Sequence, residues 1–122
     1  METAKIRKYF RTILRGILPR VYYGHAPASA KELYAVFSLQ EVSWEDGVSL
    51  QELEVDVVDN GIDTEPAEAA ADAVQAALDH LHDLTEDFHI SVYPERRQPL
   101  SENDKSVIRR RLTFQVRLHG RR

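Results

Sequence analysis

The chain has 122 residues, no cysteine, 16 Lys and Arg against 20 Asp and Glu, and a formal net charge of −4. That length suits a single domain over residues 1–122, and the lack of thiols excludes disulfides, thiolate metal sites and a cysteine nucleophile. A hydrophobic share of 43% suffices for one core, yet every apolar run is too short to span a bilayer. Arg11 and Arg15 interrupt the N-terminal apolar stretch, which argues against a secretory signal and makes the cytosol the expected location.

Residues 3–18 predict an amphipathic helix. Ile6, Tyr9, Phe10, Ile13, Leu14 and Ile17 recur at three- and four-residue spacing, and Pro19 stops the pattern. Lys5, Arg7, Lys8, Arg11 and Arg15 form its basic face. A short strand over 21–23 and a loop over 24–30 follow, then a nearly continuous apolar run, LYAVFSL at 33–39, read as a buried strand. Asp46-Gly47 marks a tight reversal into a strand over 48–58. There Leu53, Val55 and Val57 alternate with Glu52, Glu54 and Asp56, which sets an apolar face against a carboxylate ladder.

Thr64 suits an N-cap for a helix over 64–81, with Ala67, Ala70, Ala71, Val74, Ala77, Leu78 and Leu81 along one stripe. Phe88, Ile90 and Val92 predict a further strand. Residues 94–105 (PERRQPLSENDK) hold two prolines and predict a long loop, of a length that tends to be functional or mobile. The last strand alternates Ile108, Arg110, Leu112, Phe114, Val116 and Leu118 with polar positions. The order α-β-β-α-β-β gives an α+β fold, an antiparallel or mixed sheet of four to five strands packed against two helices.

Charge is distributed in blocks. From Gln40 to Ile90 there are fifteen Asp and Glu and no Lys or Arg, while both flanks are basic. On one reading, complementary faces join copies head to tail in a ring. The interface candidates are then Glu52, Glu54, Asp56, Glu68, Asp72 and Asp79 on the acidic side, and Arg7, Arg11, Arg109 and Arg111 on the basic side. On the other reading, acidic and basic elements are neighbours in the fold; Arg109, Arg111 and Arg117 then pair with Glu52, Glu54 and Asp56 across adjacent strands.

No catalytic, cofactor or metal residues are expected. No phosphate loop, nucleophile elbow or zinc motif occurs, and His80 and His82 sit at a spacing that does not share a helix face. The arginines at 109–111 and 121–122 keep a nucleic-acid-binding module open as an alternative, although the acidic half would repel a polyanion. A small oligomeric adaptor or regulator is a second alternative.

The sequence resembles the small tail-terminator, tail-completion or head-tail joining proteins of long-tailed bacteriophages and prophages. The resemblance rests on AKIRKYFRTILRGIL, ELYAVFSL, the Trp44-Glu45-Asp46-Gly47 reversal into LQELEVDVVDNG, the helix PAEAAADAVQAALDHL and the closing RRRLTFQVRL. It implies a non-enzymatic virion subunit that forms a homo-oligomeric ring, commonly a hexamer. It also implies tail-tube and head-connector proteins as partners, with the 94–105 loop as a candidate contact arm through Arg96, Arg97 and Lys105, and the bacterial cytoplasm during assembly and then the virion as its places.

Overall fold

The computed structural model describes residues 3–101 and 106–120. Lys105 and the end of the predicted 94–105 loop lie outside them.

Thr3–Arg15 forms α1, which buries Ile6, Phe10 and Leu14 completely, as the spacing predicts. The helix ends three residues before the predicted 18, and Leu18 follows it into the core. β1 (Val21–Tyr23) runs parallel to β2 (Tyr34–Glu45). A hairpin then joins β2 to β3 (Val48–Asn60), with Glu45 opposite Val48. Asp46 and Gly47 between them both take positive φ, 52° and 76°, the left-handed pair that a two-residue hairpin turn requires.

α2 (Glu65–Leu78) buries Ala67, Ala70, Ala71, Val74 and Leu78, whose small side chains let it sit close to the sheet. Its start differs from expectation. The Thr64 side chain makes no capping bond; instead Asp63 Oδ1 accepts from the Glu65 backbone N–H at 3.0 Å. The helix stops at Leu78 rather than 81, because His80 turns into the left-handed region at φ 55° and redirects the chain.

Three strands complete the sheet: β4 (His82–Leu84), β5 (Phe88–Leu100) and β6 (Val107–Gly120). The sheet order is β1-β2-β3-β6-β5-β4, antiparallel except for β1 beside β2. The α+β class with a mixed sheet therefore holds, but the described residues form six strands rather than four to five, in the order α-β-β-β-α-β-β-β rather than α-β-β-α-β-β. β4 escaped prediction because its three residues are all exposed and show no alternation.

The larger correction concerns residues 94–100. They continue β5 instead of forming a loop, so Arg96 and Arg97 stand on a strand. Prolines 94 and 99 suggested a loop, but beyond Val92 β5 has a strand partner on one side only, where a missing N–H is tolerated.

Both helices contribute to one core on one face of the sheet. Ala35, Phe37, Leu53, Val55, Val57, Ile90, Val92, Leu112, Phe114, Val116 and Leu118 supply the sheet's side of it. Two register shifts decide what reaches this face, since one extra residue moves every later side chain to the opposite side. The shift between Glu41 and Ser43 sets Trp44 opposite Ser49, in the row of Gln51 and Leu53. The shift between Pro94 and Arg96 sets Arg97 opposite Leu112, on the side of α2.

Candidate interface surfaces

On the sheet face away from the helices, register places Asp56 directly opposite Arg111. Arg111 donates from Nε to Asp56 Oδ1 at 2.8 Å and from Nη2 to Oδ2 at 2.9 Å, and Arg109 Nη1 reaches Oδ2 at 2.8 Å. Glu54 adds a carboxylate 3.2 Å from Arg111 Nε. Asp56 is only 4% exposed, so its charge is tolerable in the interior because two guanidiniums answer it. Arg111 is held above its ordinary basicity, first by the Asp56 hydrogen bonds and then by the two carboxylate charges, against the opposing effect of burial.

On the helix side, the shift that turns Arg97 inward produces a second cluster. Arg97 donates to Asp72 Oδ1 at 2.7 Å, Gln75 Oε1 at 3.0 Å and Glu68 Oε2 at 2.9 Å, bridging three consecutive turns of α2. Arg110, the one charged residue in the apolar row of β6, donates from Nε to the other oxygen of Glu68. The hydrogen bond from Arg110 is the chief reason the Glu68 carboxyl lies below its ordinary value of 4.5; the charges of Arg110 and Arg97 add to it, and burial opposes it.

A depressed folded-state value contributes stability that is present above the unfolded value and lost as pH falls. Melting temperature should thus decline on acidification below about pH 4.5, and Glu68→Gln should flatten that decline. Thermal melts of both proteins from pH 6 to pH 3 check this; parallel curves would contradict it.

Of the residues singled out from the sequence, Glu54, Asp56, Glu68, Asp72, Arg97, Arg109 and Arg111 are therefore joined within the chain. The pairing of adjacent strands holds for Arg109 and Arg111 but not for Arg117, which lies opposite Leu50. Glu52 is half-buried opposite Gln115 and makes no ion pair among the described residues. Asp79 Oδ2 accepts from Gln75 at 3.3 Å, and its buried Oδ1 has no partner. Arg96 is exposed and 4.0 Å from Glu95.

Arg7 stacks on Tyr23 with its guanidinium carbon 3.7 Å from the ring centroid, and its buried Nε has no hydrogen-bond partner. Lys8, Arg11 and Arg15 on the same helix pair with no carboxylate among the described residues, and Lys8 and Arg15 are exposed. Sequence reasoning missed the bond from the Tyr9 hydroxyl to Asp83 Oδ2 at 2.7 Å, which ties α1 to β4. Burial foremost, then Asp83, holds that phenol above its usual range. The pairing was invisible because it joins a residue of the predicted apolar stripe to an unpredicted strand.

The histidines of this end of the sheet make aromatic contacts. His80 and His82 face Tyr93 edge-on, with centroids 6.4 and 5.9 Å away, and His89 lies against His119. Among the described residues no group of three or more His, Asp or Glu is placed to hold a metal ion, and no helix is long and apolar enough to cross a membrane.

A groove of about 530 Å³ opens between the start of α1 and the β2–β3 hairpin, walled by Thr3, Arg7, Tyr23, Leu39, Glu41, Trp44 and Gln51. Trp44 is 68% exposed and the adjacent Val42 67%. The groove's lining is aromatic at Tyr23 and Trp44 and carries one cation, Arg7, and one carboxylate, Glu41.

No family model matches the sequence, and no curated protein matches it. The fold is similar to that of a chain in a solved structure described as the virion of a native gene transfer agent particle. The two superpose with a TM-score of 0.68 at 20% identity, over 88% of this chain and 84% of that one.

Proposed function

We propose that this chain is a structural subunit of a phage-like particle, a tail terminator or head-tail joining protein that assembles with copies of itself into a ring. The observation that carries the reading is the fold shared, over most of both chains, with a component of a gene transfer agent virion. The resemblance of the sequence to phage tail-terminator proteins points the same way. On this reading the chain is not an enzyme, needs no cofactor, and meets tail-tube and head-connector proteins through its two ring faces.

Internal pairing narrows which charges can serve a ring. The blocks around Asp56 and Glu68 are answered within the subunit, as Lys5 is by Asp87 at 3.1 Å, leaving Lys8, Arg11 and Arg15 of α1 and the acidic loop and hairpin ends for neighbours. The nucleic-acid alternative loses its main support for the same reason, since Asp56 holds Arg109 and Arg111 and Glu68 holds Arg110.

Assembly should be salt-sensitive. Light scattering on concentrated protein should show a multimer whose mass falls as salt rises to about 0.5 M, where exposed charges are screened within about 4 Å. A salt-independent monomer at high concentration would sink the reading.

A further inference from the structure

Beyond the short outer strands β1 and β4 the sheet has two open edges, and their backbones differ in what they offer. The edge of β5 past Val92 is disarmed. The Val92 N–H points outward, donating to the Leu81 carbonyl at 2.8 Å, so the Pro94 nitrogen points outward too. Arg97 and Pro99 lie opposite Leu112 and Arg110, alternate residues from the Phe114 opposite Pro94, and so share that direction. Of these outward nitrogens only that of Arg97 carries a hydrogen, which keeps a further strand from pairing there.

The edge of β2 has no such block. β1 covers it as far as Phe37, and the Tyr23 hydroxyl then meets both the N–H and the C=O of Leu39, at 3.2 and 3.3 Å. Past that residue no strand lies against it among the described residues. Glu41, two positions on, turns its backbone the same way as Leu39. At the far end Glu45 and Val48 face each other across the two-residue turn and exchange bonds, which turns the backbone of Trp44 outward. Residues 40–45 are all exposed and hold no proline, Lys or Arg; they form a slot about 20 Å long at about 3.3 Å per residue. The extra residue at Val42 interrupts the ladder, so an incoming chain gains few backbone bonds, and the exposed Val42 and Trp44 supply apolar contact beside them.

We propose that residues 40–45 receive an extended segment of another protein as an added strand, a segment that alternates cationic with β-branched side chains. An unpaired edge is completed by an extended chain. The side chains of the edge strand set its chemistry, because they lie directly beside those of the added strand. Glu41, Glu45 and the turn residue Asp46 form no ion pair among the described residues, and Glu41 only accepts from Ser49 at 2.8 Å. The cations of the flanking clefts leave them unanswered. Arg7 lies flat on Tyr23 on the helix side, and Arg117 lines the cleft of the other face without pairing to Glu45 or Asp46. Cations beside Glu41 and Glu45, with apolar groups against Val42 and Trp44, complete the slot. A second copy fits worse: its β5 edge lacks the donors, and its β2 edge would set one acidic strand against another.

The inference goes beyond the ring reading and does not rest on it. Trp44 is the sole tryptophan of the chain and stands in the slot, so its fluorescence reports occupancy. The probes are the peptide acetyl-RVKVRVK-amide and its charge-reversed counterpart acetyl-EVEVEVE-amide, each titrated into the full chain. The basic peptide should change the Trp44 emission to saturation and the acidic one should leave it unchanged. In the basic complex, amide hydrogen exchange at Glu41 and Trp44 should slow while that at Arg97 stays as it was. Glu41→Gln should weaken binding about two- to fivefold by removing the charge. Glu41→Pro should weaken it about tenfold by removing the outward N–H as well. Position 41 is exposed, so both variants should keep the parent's melting temperature; if Glu41→Pro unfolds, the exchange pattern of the parent decides.

Equal binding of the two peptides, or no response to either, would overturn the inference. Unchanged exchange at Glu41 and Trp44 in the bound state would overturn strand addition. Exchange at Glu41 that slows with protein concentration alone would make a second copy the occupant and overturn the foreign segment.

Discussion

Phe114→Ala should leave the protein unfolded or nearly so at ordinary temperature. Phe114 sits mid-strand in β6, 1% exposed, directly opposite Leu53 and between Leu112 and Val116 in the row that faces the helices. Truncation removes the transfer free energy of the ring and leaves a cavity that the flanking β-sheet cannot collapse to fill, a cost of about 3–5 kcal/mol. A domain of this size has only about 5–15 kcal/mol in total. Arg117→Ala, three residues further on and exposed on the opposite face, should cost under about 1 kcal/mol. Denaturant melts of both variants beside the parent separate the two effects. An unchanged midpoint for Phe114→Ala would mean that the ring is not part of the core.

Asp56→Ala should be nearly as damaging, although the residue is charged and lies on the face away from the helices. Its carboxylate accepts three hydrogen bonds from Arg109 and Arg111, and its removal takes all three away while Arg111 keeps the carboxylate of Glu54. Breaking a buried ion cluster from one side costs about 3–5 kcal/mol. Arg109 and Arg111 keep 26% and 30% of their side-chain surface, so water offsets part of that and about 2–3 kcal/mol is expected. Glu54→Ala should cost under about 1 kcal/mol, because Asp56 still holds both arginines. Equal losses from the two substitutions in chemical denaturation would contradict this account.

Much of the fold could be read from periodicity. The stripes of α1 and α2, the alternation of β3 and β6 and the Asp46-Gly47 turn all express local rules that tertiary contacts reinforce. The failures also have local causes. In β5, Pro94 and Pro99 mimic a loop, and only the position of residues 94–100 at a half-open edge reveals a strand. β4 carries no burial pattern because it merely covers the outer edge of β5.

Charge was legible in amount but not in direction. The acidic middle and basic flanks are evident from composition, yet their partners depend on strand order. Placing β6 between β3 and β5 brings Arg111 onto Asp56. The register shift before Arg96 brings Arg97 onto α2, and no count of residues exposes that shift. What remains for the surface is smaller than the sequence implies: Lys8, Arg11 and Arg15 of α1, the acidic loop around Ile62, and the hairpin beside Trp44. Trp44 itself drew notice only as part of a turn, although a tryptophan two residues before an Asp-Gly reversal is poorly placed for burial.

The ring proposed for this chain is a closed structure of identical copies joined through unlike faces. Negative-stain electron microscopy of the purified protein at high concentration and low salt tests it most directly. Closed rings of one uniform diameter are expected, lost on raising the salt to about 0.5 M. Isolated globular particles, or two-fold dimers that grow no further at any concentration, would contradict it.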